Sequence, residues 1–158
     1  MIGLAPLLLA RLSAPSFHSL IAVDASSSGL GVVASKSDTR GGESVEELVQ
    51  QRDWSVILAS RWRRDEHINV LELRAVHTAV RWALSYPLTF GCRIRILSDS
   101  KVTIGCVSKG RSSSASLLRR MRCLSASLLA AGVGVDLQYV PSALNPADEP
   151  SRRFQNKS

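Results

Sequence analysis

The sequence predicts an α/β domain in which a five-stranded mixed sheet is flanked by helices. The chain has 158 residues, of which 45% are hydrophobic and 21% are charged, so it is long enough to bury one core and has a globular composition. Short apolar runs typical of buried strands alternate with longer stretches in which apolar residues recur every three or four positions. Helical segments separate the later strands, and strands joined through a helix are normally parallel.

Five segments have the patterns of strands. They are residues 19–23, 30–35, 54–60, 93–98 and 133–140. Turn-forming residues at 25–29 separate the first two segments, which are therefore predicted to form a hairpin. The last segment alternates apolar and polar residues, which indicates an edge or half-exposed strand.

Three longer segments have helical periodicity. They are residues 67–86, 101–107 and 114–131. Pro87 ends the first of these helices, and Gly132 closes the third. Residues 36–53 form a long polar connection, in which the capping-box spacing of Ser44 and Glu47 predicts a short additional helix.

One carboxylate lies on the apolar face of the first long helix. That face consists of Ile68, Leu71, Ala75, Val76, Ala79, Val80 and Ala83. Glu72 lies within it, and a carboxylate directed at a core is costly unless it has a partner. Two partners are compatible with the sequence: an arginine in a structural ion pair, or a metal ion shared with other acids.

Two other acids directly follow predicted strands. Asp24 follows the first strand and Asp99 the fourth, and these strands are parallel neighbours if a helix crosses between them. Their carboxyl ends then lie at the sheet edge where open α/β sheets bind ligands, with Glu72 on the covering helix. Clustered carboxylates favour a raised pKa or a bound cation, and Mg²⁺ held in this way supports phosphodiester hydrolysis.

The net charge of +7 favours a polyanionic partner. Nucleic acid is favoured over a membrane because no long basic amphipathic helix is present, although a basic surface that only maintains solubility has equal support. Lys109 and Arg111, in the loop after the helix that follows Asp99, are the best candidates for phosphate contact. Three cysteines without CxxC spacing indicate neither disulfides nor a zinc knuckle, so we expect an intracellular protein of the cytoplasm or nucleus.

Four short motifs together resemble the ribonuclease H domain of retroelement reverse transcriptases, especially those of tyrosine-recombinase and long-terminal-repeat retrotransposons. The motifs are Asp24 before the hairpin, Asn69-Val-Leu-Glu72, Ser98-Asp99-Ser100, and the ending Tyr139-Val-Pro-Ser with Asn145-Pro-Ala-Asp148-Glu-Pro-Ser-Arg152. The resemblance covers residues 19–153, so that residues 1–18 are an N-terminal extension and residues 154–158 a tail. It implies a ribonuclease H-like fold with strand order 3-2-1-4-5.

The resemblance implies an endonuclease that hydrolyses the RNA strand of RNA/DNA hybrids during reverse transcription and leaves a 5′-phosphate and a 3′-hydroxyl. By this resemblance Asp24 would bridge two Mg²⁺ ions, for which Mn²⁺ can substitute, Glu72 and Asp99 would complete one site, and Asp148 would complete the other. The expected nucleic-acid contacts are Asn69, Ser26, Ser100, Lys109 and Arg111. An upstream reverse transcriptase domain is an expected partner.

The C-terminal motif departs from the pattern of many relatives. No histidine lies between Tyr139 and Asp148, where relatives often have one. Asn145 and Pro146 have the types of an N-cap and a first helical residue, but Pro150 disfavours a long helix. Asp148 is therefore predicted to lie on a single helical turn.

Two other functions are compatible with parts of the sequence. A decayed or accessory copy would bind hybrid without cutting it, although the presence of all four acids argues against advanced decay. An actin-like sugar kinase shares the strand order and a first-strand aspartate. In that fold a glycine is expected two residues after the aspartate, whereas Ser26 is present here, and the chain is too short for two such halves.

Overall fold

A computed structural model describes residues 14–36 and 44–155. The described residues contain one mixed sheet. Its strands are β1 (Ser16–Ala25), β2 (Gly29–Lys36), β3 (Ser55–Arg61), β4 (Arg93–Ser98) and β5 (Gly134–Tyr139). Their spatial order is β3-β2-β1-β4-β5, in which β1, β2 and β3 pair antiparallel while β4 pairs parallel with both β1 and β5. This confirms the predicted α/β class and strand order.

The helices lie in the predicted parts of the chain. They are α1 (Val45–Gln50), α2 (Ile68–Ala83), α3 (Lys101–Lys109), α4 (Ala115–Ala131) and α5 (Asp148–Arg152). Ser44 and Glu47 form the predicted capping box of α1. Gly132 ends α4 with a φ of +63°, a left-handed conformation that glycine adopts without steric cost.

The two faces of the sheet are covered differently. Helix α2 packs on the strands and α4 packs on α2, so the larger core contains Ile21 and Val23 from β1. Leu20 and Ala22 point to the opposite face, where they pack with Leu48 of α1. Because β1 is central and covered on both sides, its sequence is a continuous apolar run.

Most boundaries differ from the sequence prediction by one to three residues, and the burial of one predicted core residue also differs. Strand β1 begins at Ser16, three residues earlier than predicted, because Phe17 is buried in the core. Ile68, predicted on the buried face of α2, is 41% exposed, because it is the first residue of the helix and burial begins only at Val70. Residues 1–13 of the predicted extension, residues 37–43 of the predicted polar connection and residues 156–158 of the tail lie outside the described part of the chain.

The start of α5 also differs from the prediction. Asn145 does not cap the helix: its side chain accepts a hydrogen bond from the backbone N–H of Ala147 and donates one to the carbonyl oxygen of Val23, and α5 begins at Asp148. Pro150 is the third residue of α5, and its missing N–H is one that would have no acceptor within the helix in any case. The helix therefore continues through Pro150 to Arg152, although it remains short as predicted.

Within the described residues, none of the helices combines the length and the apolar character that crossing a bilayer requires.

Candidate active site

Three carboxylates meet at the edge of the sheet where β1 and β4 end. Asp24 belongs to β1, Asp99 follows β4, and Glu72 lies in the second turn of α2. One side-chain oxygen of each residue lies within 4.8 Å of the corresponding oxygens of the other two. The parallel pairing of β1 and β4 places the two aspartates side by side, and α2 packs across both strands.

Two of these carboxylates are buried and the third, Asp99, is partly buried, and none has a basic partner among the described residues. Asp24 is 4% exposed and Glu72 is 8% exposed. Among the residues that the structure describes, no lysine or arginine forms an ion pair with Asp24, Glu72 or Asp99. The Oε2 atom of Glu72 and the Oδ1 atom of Asp99 are buried and accept no hydrogen bond there. The structure therefore does not support the ion-pair alternative for Glu72.

Burial and mutual repulsion raise the pKa values of two of these acids. Burial raises the pKa of Glu72 to about 8, and the negative charges of Asp24 and Asp99 add to the effect. Burial likewise raises the pKa of Asp24 to about 6, with further increases from the charges of Asp99 and Asp148. Two groups oppose the increase for Asp24: a hydrogen bond from Ser151 and the positive charge of Arg152.

The donor set fits a hard divalent cation. Buried carboxylate oxygens without hydrogen-bond donors are costly, and a cation that they share removes both that cost and their repulsion. Mg²⁺ and Mn²⁺ prefer oxygen ligands, and no nitrogen or sulfur ligand belongs to this group of described residues. Asp24, Glu72 and Asp99 are thus the residues that could hold such an ion.

Asp148 lies near this group but does not belong to it. Its Oδ1 atom accepts a hydrogen bond from Nε of Arg152, four residues later in the same helix, at 2.8 Å. Its charge nevertheless contributes to the raised pKa of Asp24. The structure therefore brings three of the four predicted acids together and leaves the fourth beside them in an ion pair.

Ser151 contacts the site and was not predicted from the sequence. Its hydroxyl group donates a hydrogen bond to Oδ2 of Asp24. Helix α5 can approach this closely because Gly31 has no side chain: a Cβ atom there would lie 2.4 Å from the carbonyl oxygen of Ala147. Glycine within a strand often marks such an approach, so Gly31 was the available signal in the sequence.

A cavity of about 820 Å³ contains three of the residues predicted to contact nucleic acid. Its lining includes Asn69 at the start of α2, and Lys109 and Arg111 beyond Asp99 along the chain. Lys101, which was not predicted, also lines the cavity, and its ammonium group lies 5.0 Å from the centre of the Tyr139 ring. The lining of the cavity therefore combines three positively charged side chains with one amide side chain.

The other two predicted contact residues make hydrogen bonds within the protein. The Ser26 hydroxyl accepts from the N–H of Gly29 at 2.9 Å and donates to the carbonyl oxygen of Ser151 at 2.8 Å. Ser100 is the N-cap of α3, where its hydroxyl accepts from the N–H of Thr103. Their contact with nucleic acid stays a prediction.

Solved structures with the same fold are similar to this chain. An RNase H1 called LC11, isolated from compost by a metagenomic approach, gives a TM-score of 0.62 at 15% identity, covering 87% of this chain and 95% of the other. The same protein in complex with an RNA/DNA hybrid gives 0.57 at 14% identity, with coverages of 83% and 91%. The protease-reverse transcriptase of prototype foamy virus gives 0.53 at 12% identity, covering 89% of this chain and 21% of the viral protein. At these identities the similarity shows the fold alone.

A family model gives a more specific assignment than the fold does. The model of the C-terminal domain of viral DNA polymerases matches residues 1–157. No curated protein matches the sequence. The family model is viral, whereas the sequence motifs most resemble those of retrotransposons. The chain belongs to the family of viral DNA polymerase C-terminal domains and has the RNase H fold, which confirms the predicted resemblance to the RNase H domain of a reverse transcriptase.

Proposed function

We propose that the chain is a metal-dependent endonuclease that hydrolyses the RNA strand of RNA/DNA hybrids within a polymerase that performs reverse transcription. The observation that supports this most directly is the group formed by Asp24, Glu72 and Asp99, with buried oxygens that have no donor among the described residues. The structural similarity to an RNase H1 solved with an RNA/DNA hybrid favours the same substrate class here.

The four acids divide between two metal sites in this proposal. Asp24, whose pKa is affected by the charges of both Asp99 and Asp148, would contact two Mg²⁺ ions. Glu72 and Asp99 would complete the first site, and Asp148 would complete the second. When bound, two such ions activate a water molecule and stabilise the leaving oxygen of an in-line displacement. Arg152 donates to Oδ1 of Asp148, so Oδ2 is the oxygen with which Asp148 would take this role.

The cavity beside the site would bind the hybrid. Lys101, Lys109 and Arg111 would contact backbone phosphates, and Asn69 would lie near the minor groove. RNA is distinguished from DNA by its 2′-hydroxyl groups and groove shape, so we expect little dependence on base sequence. An upstream reverse transcriptase domain is the proposed partner, because the family is that of polymerase C-terminal domains and the foamy virus relative is much longer than this chain.

The decisive experiment is a cleavage assay on a hybrid with a labelled RNA strand in Mg²⁺ or Mn²⁺. We expect Asp24→Asn to lower the cleavage rate by a factor on the order of 1,000. The circular dichroism spectrum should be unchanged. Asp136→Asn is the matched control, since Asp136 is a partly exposed acid on β5 outside the group, and it should cleave as the unmodified chain does.

The accessory function predicts a different result in the same assay. A domain that only binds hybrid would retain the labelled duplex in a gel-shift measurement and leave its RNA strand intact in both metals. The pairing of Asp148 with Arg152 is the observation that favours this second candidate. Binding without cleavage by the unmodified chain would therefore replace the proposal of an active nuclease.

A further inference from the structure

A single buried hydroxyl group connects two of the acids that lie far apart in the sequence. Ser151 is 0% exposed, and its Oγ atom donates to Oδ2 of Asp24 across a sequence separation of 127 residues. Asp148 precedes Ser151 by three residues in the same short helix. The hydroxyl also lies 2.9 Å from the carbonyl oxygen of Asp148. Ser151 thus contacts both the first acid and the turn that contains the last.

The backbone of Ser151 is held independently of its side chain. Its carbonyl oxygen accepts the hydrogen bond from Ser26, which follows Asp24 by two residues. A Cβ atom on Gly29 would lie 2.5 Å from that oxygen, and one on Gly31 would lie 2.8 Å from the Ser151 nitrogen. These contacts place α5 directly on β2. The backbone position of Ser151 is therefore set by contacts that do not involve Asp24, and the contact of its hydroxyl with the carbonyl oxygen of Asp148 favours one side-chain rotamer.

The contact restricts the orientation of a carboxylate that would otherwise rotate. The terminal torsion of an aspartate is broad, so burial alone does not fix the plane of the Asp24 carboxylate. A donor of fixed position selects one orientation, in which Oδ2 contacts Ser151 and Oδ1 is the oxygen that Ser151 does not hold. A defined orientation matters most for a group that must contact two ions at once.

We propose that Ser151 is a positioning residue that orients the Asp24 carboxylate for divalent metal binding and fixes the place of Asp148 relative to it. In the cleavage reaction it acts through Asp24, without contact to substrate. This inference rests on the proposed function, because it assigns the role of a residue within that same site.

The test compares two substitutions in the full 158-residue chain. Ser151→Ala removes the donor and leaves the backbone contacts of α5, while Ser151→Cys keeps the side-chain shape with a much weaker donor. We expect both to lower kcat for hybrid cleavage at least tenfold and to leave KM within twofold. Half-saturation by Mn²⁺ without nucleic acid should require at least fivefold more metal. Ser142→Ala, at an exposed serine in the same C-terminal region, is the matched control.

A purely structural role would give other results. If Ser151 only fills space, Ser151→Cys should retain the kcat and Mn²⁺ affinity of the unmodified chain, and that result would overturn the proposal. Thermal unfolding identifies the fraction of folded protein, so kcat and Mn²⁺ affinity are compared per folded molecule. If both variants then match the unmodified chain, the proposal is likewise wrong.

The two proposals fail in distinguishable ways. If the unmodified chain cleaves hybrid and Ser151→Ala does so at the same kcat, the role of Ser151 is refuted and the nuclease function stands. If the unmodified chain does not cleave, the proposed function is refuted, and the Mn²⁺ titration decides the role of Ser151. In that case weaker Mn²⁺ binding by both variants supports positioning, and unchanged binding overturns it.

Discussion

Glu72 is the residue at which stability and function are most directly opposed. Its carboxyl group lies on the buried face of α2 beside two aspartates, and the described residues supply no base to pair with it. Ionisation of Glu72 is therefore unfavourable in the folded protein without metal. A bound cation reverses this preference, because it favours the charged form.

The raised pKa of Glu72 predicts how the stability of the protein depends on pH. The pKa of Glu72 is about 8 in the folded protein against 4.5 for an ordinary glutamate, so the folded state retains a proton that the unfolded chain loses. The stability that the protonated Glu72 carboxyl group contributes is fully present below about pH 4.5, and it is lost as the pH rises to about 8. Asp24, with a pKa of about 6, acts in the same direction over a lower range. We expect Glu72→Gln to be more stable than the unmodified chain at pH 8 in EDTA, by on the order of 3 kcal/mol.

Urea unfolding at pH 5 and pH 8 measures this difference. His77 has a pKa lowered by burial, so its contribution changes in the opposite direction, but it is present in both proteins and cancels in the comparison. Saturating Mg²⁺ should stabilise the unmodified chain and have a smaller effect on Glu72→Gln. Equal pH dependence of the two proteins in EDTA would contradict the assignment of Glu72 as a buried carboxyl group without a partner.

Residue types alone identified Glu72 and Asp99 as candidates but could not identify Ser151. Glu72 was predictable because it interrupts an apolar stripe of helical spacing, and that irregularity is local in the sequence. Asp99 was predictable because it directly follows an apolar strand. Ser151 lies within the C-terminal motif, but it meets Asp24 only after folding, and no local pattern in the sequence indicates that contact.

At the scale of elements, the position of α5 depends on two glycines of β2. A helix of five residues gains little stability from its own hydrogen bonds, so contacts with the sheet determine where it lies. Gly29 and Gly31 allow its backbone to approach the strand directly. The location of Asp148 therefore depends on the two glycines of β2 as well as on α5 itself.

A substitution at Gly31 tests that contact. A Cβ atom at Gly31 would lie 2.4 Å from the carbonyl oxygen of Ala147 and 2.8 Å from the nitrogen of Ser151, and backbone atoms cannot move aside as flexible side chains do. We expect Gly31→Ala to displace α5, to reduce stability by about 1–3 kcal/mol and to lower hybrid cleavage strongly. Urea unfolding and the labelled-RNA assay measure the two effects.

Gly134→Ala is the matched control for this prediction. Gly134 also lies in a strand, but a Cβ atom there would have no neighbour within 4 Å. Its substitution should change neither stability nor cleavage by a comparable amount. Similar behaviour of the two variants would show that α5 does not depend on the absence of a side chain at Gly31.

The elements themselves were largely predictable, and their ends were less so. Strand β4 has the predicted bounds because an apolar alternation stops at Asp99, and α4 ends where Gly132 was predicted to close it. The start of α5 was wrong because the side chain of Asn145 bonds to a carbonyl group of β1, a contact with a distant strand. The exposure of Ile68 likewise depends on where α2 meets the sheet. The spacing of apolar residues in the sequence does not predict that point of contact.

For the whole molecule, the distribution of charge determines how a hybrid would be bound. The chain has an excess of seven positive charges and yet contains a site made of acids. Lys101, Lys109 and Arg111 line the cavity beside those acids. In the proposed function, arginine and lysine side chains would hold backbone phosphates while the scissile group lies at the acids.

The salt dependence of hybrid binding tests that arrangement. We expect the double variant Lys109→Gln/Arg111→Gln to bind hybrid more weakly, and to reduce the slope of log affinity against log salt concentration by about two, one for each lost phosphate contact. Fluorescence anisotropy in Ca²⁺, which binds carboxylates while limiting cleavage, measures the affinity across salt concentrations.

A second pair of basic residues provides the control. Arg119 and Arg122 are exposed on α4 and do not belong to the lining of the cavity. Their replacement by glutamine lowers the net charge by the same amount, so only contacts distinguish the two double variants. Equal loss of affinity and slope in both would mean that overall charge, and not the cavity, accounts for binding.

Because α5 packs on β2, residues from the two ends of the chain meet at this site, and they are synthesised at different times. Ser151 leaves the ribosome 127 residues after Asp24, when β1, β2, α2 and β4 have already been synthesised. The residues up to Asp99 thus include the first three acids but neither the Ser151 hydroxyl nor the fourth carboxylate. The proposed catalytic group is therefore completed by the last helix of the described residues to be synthesised.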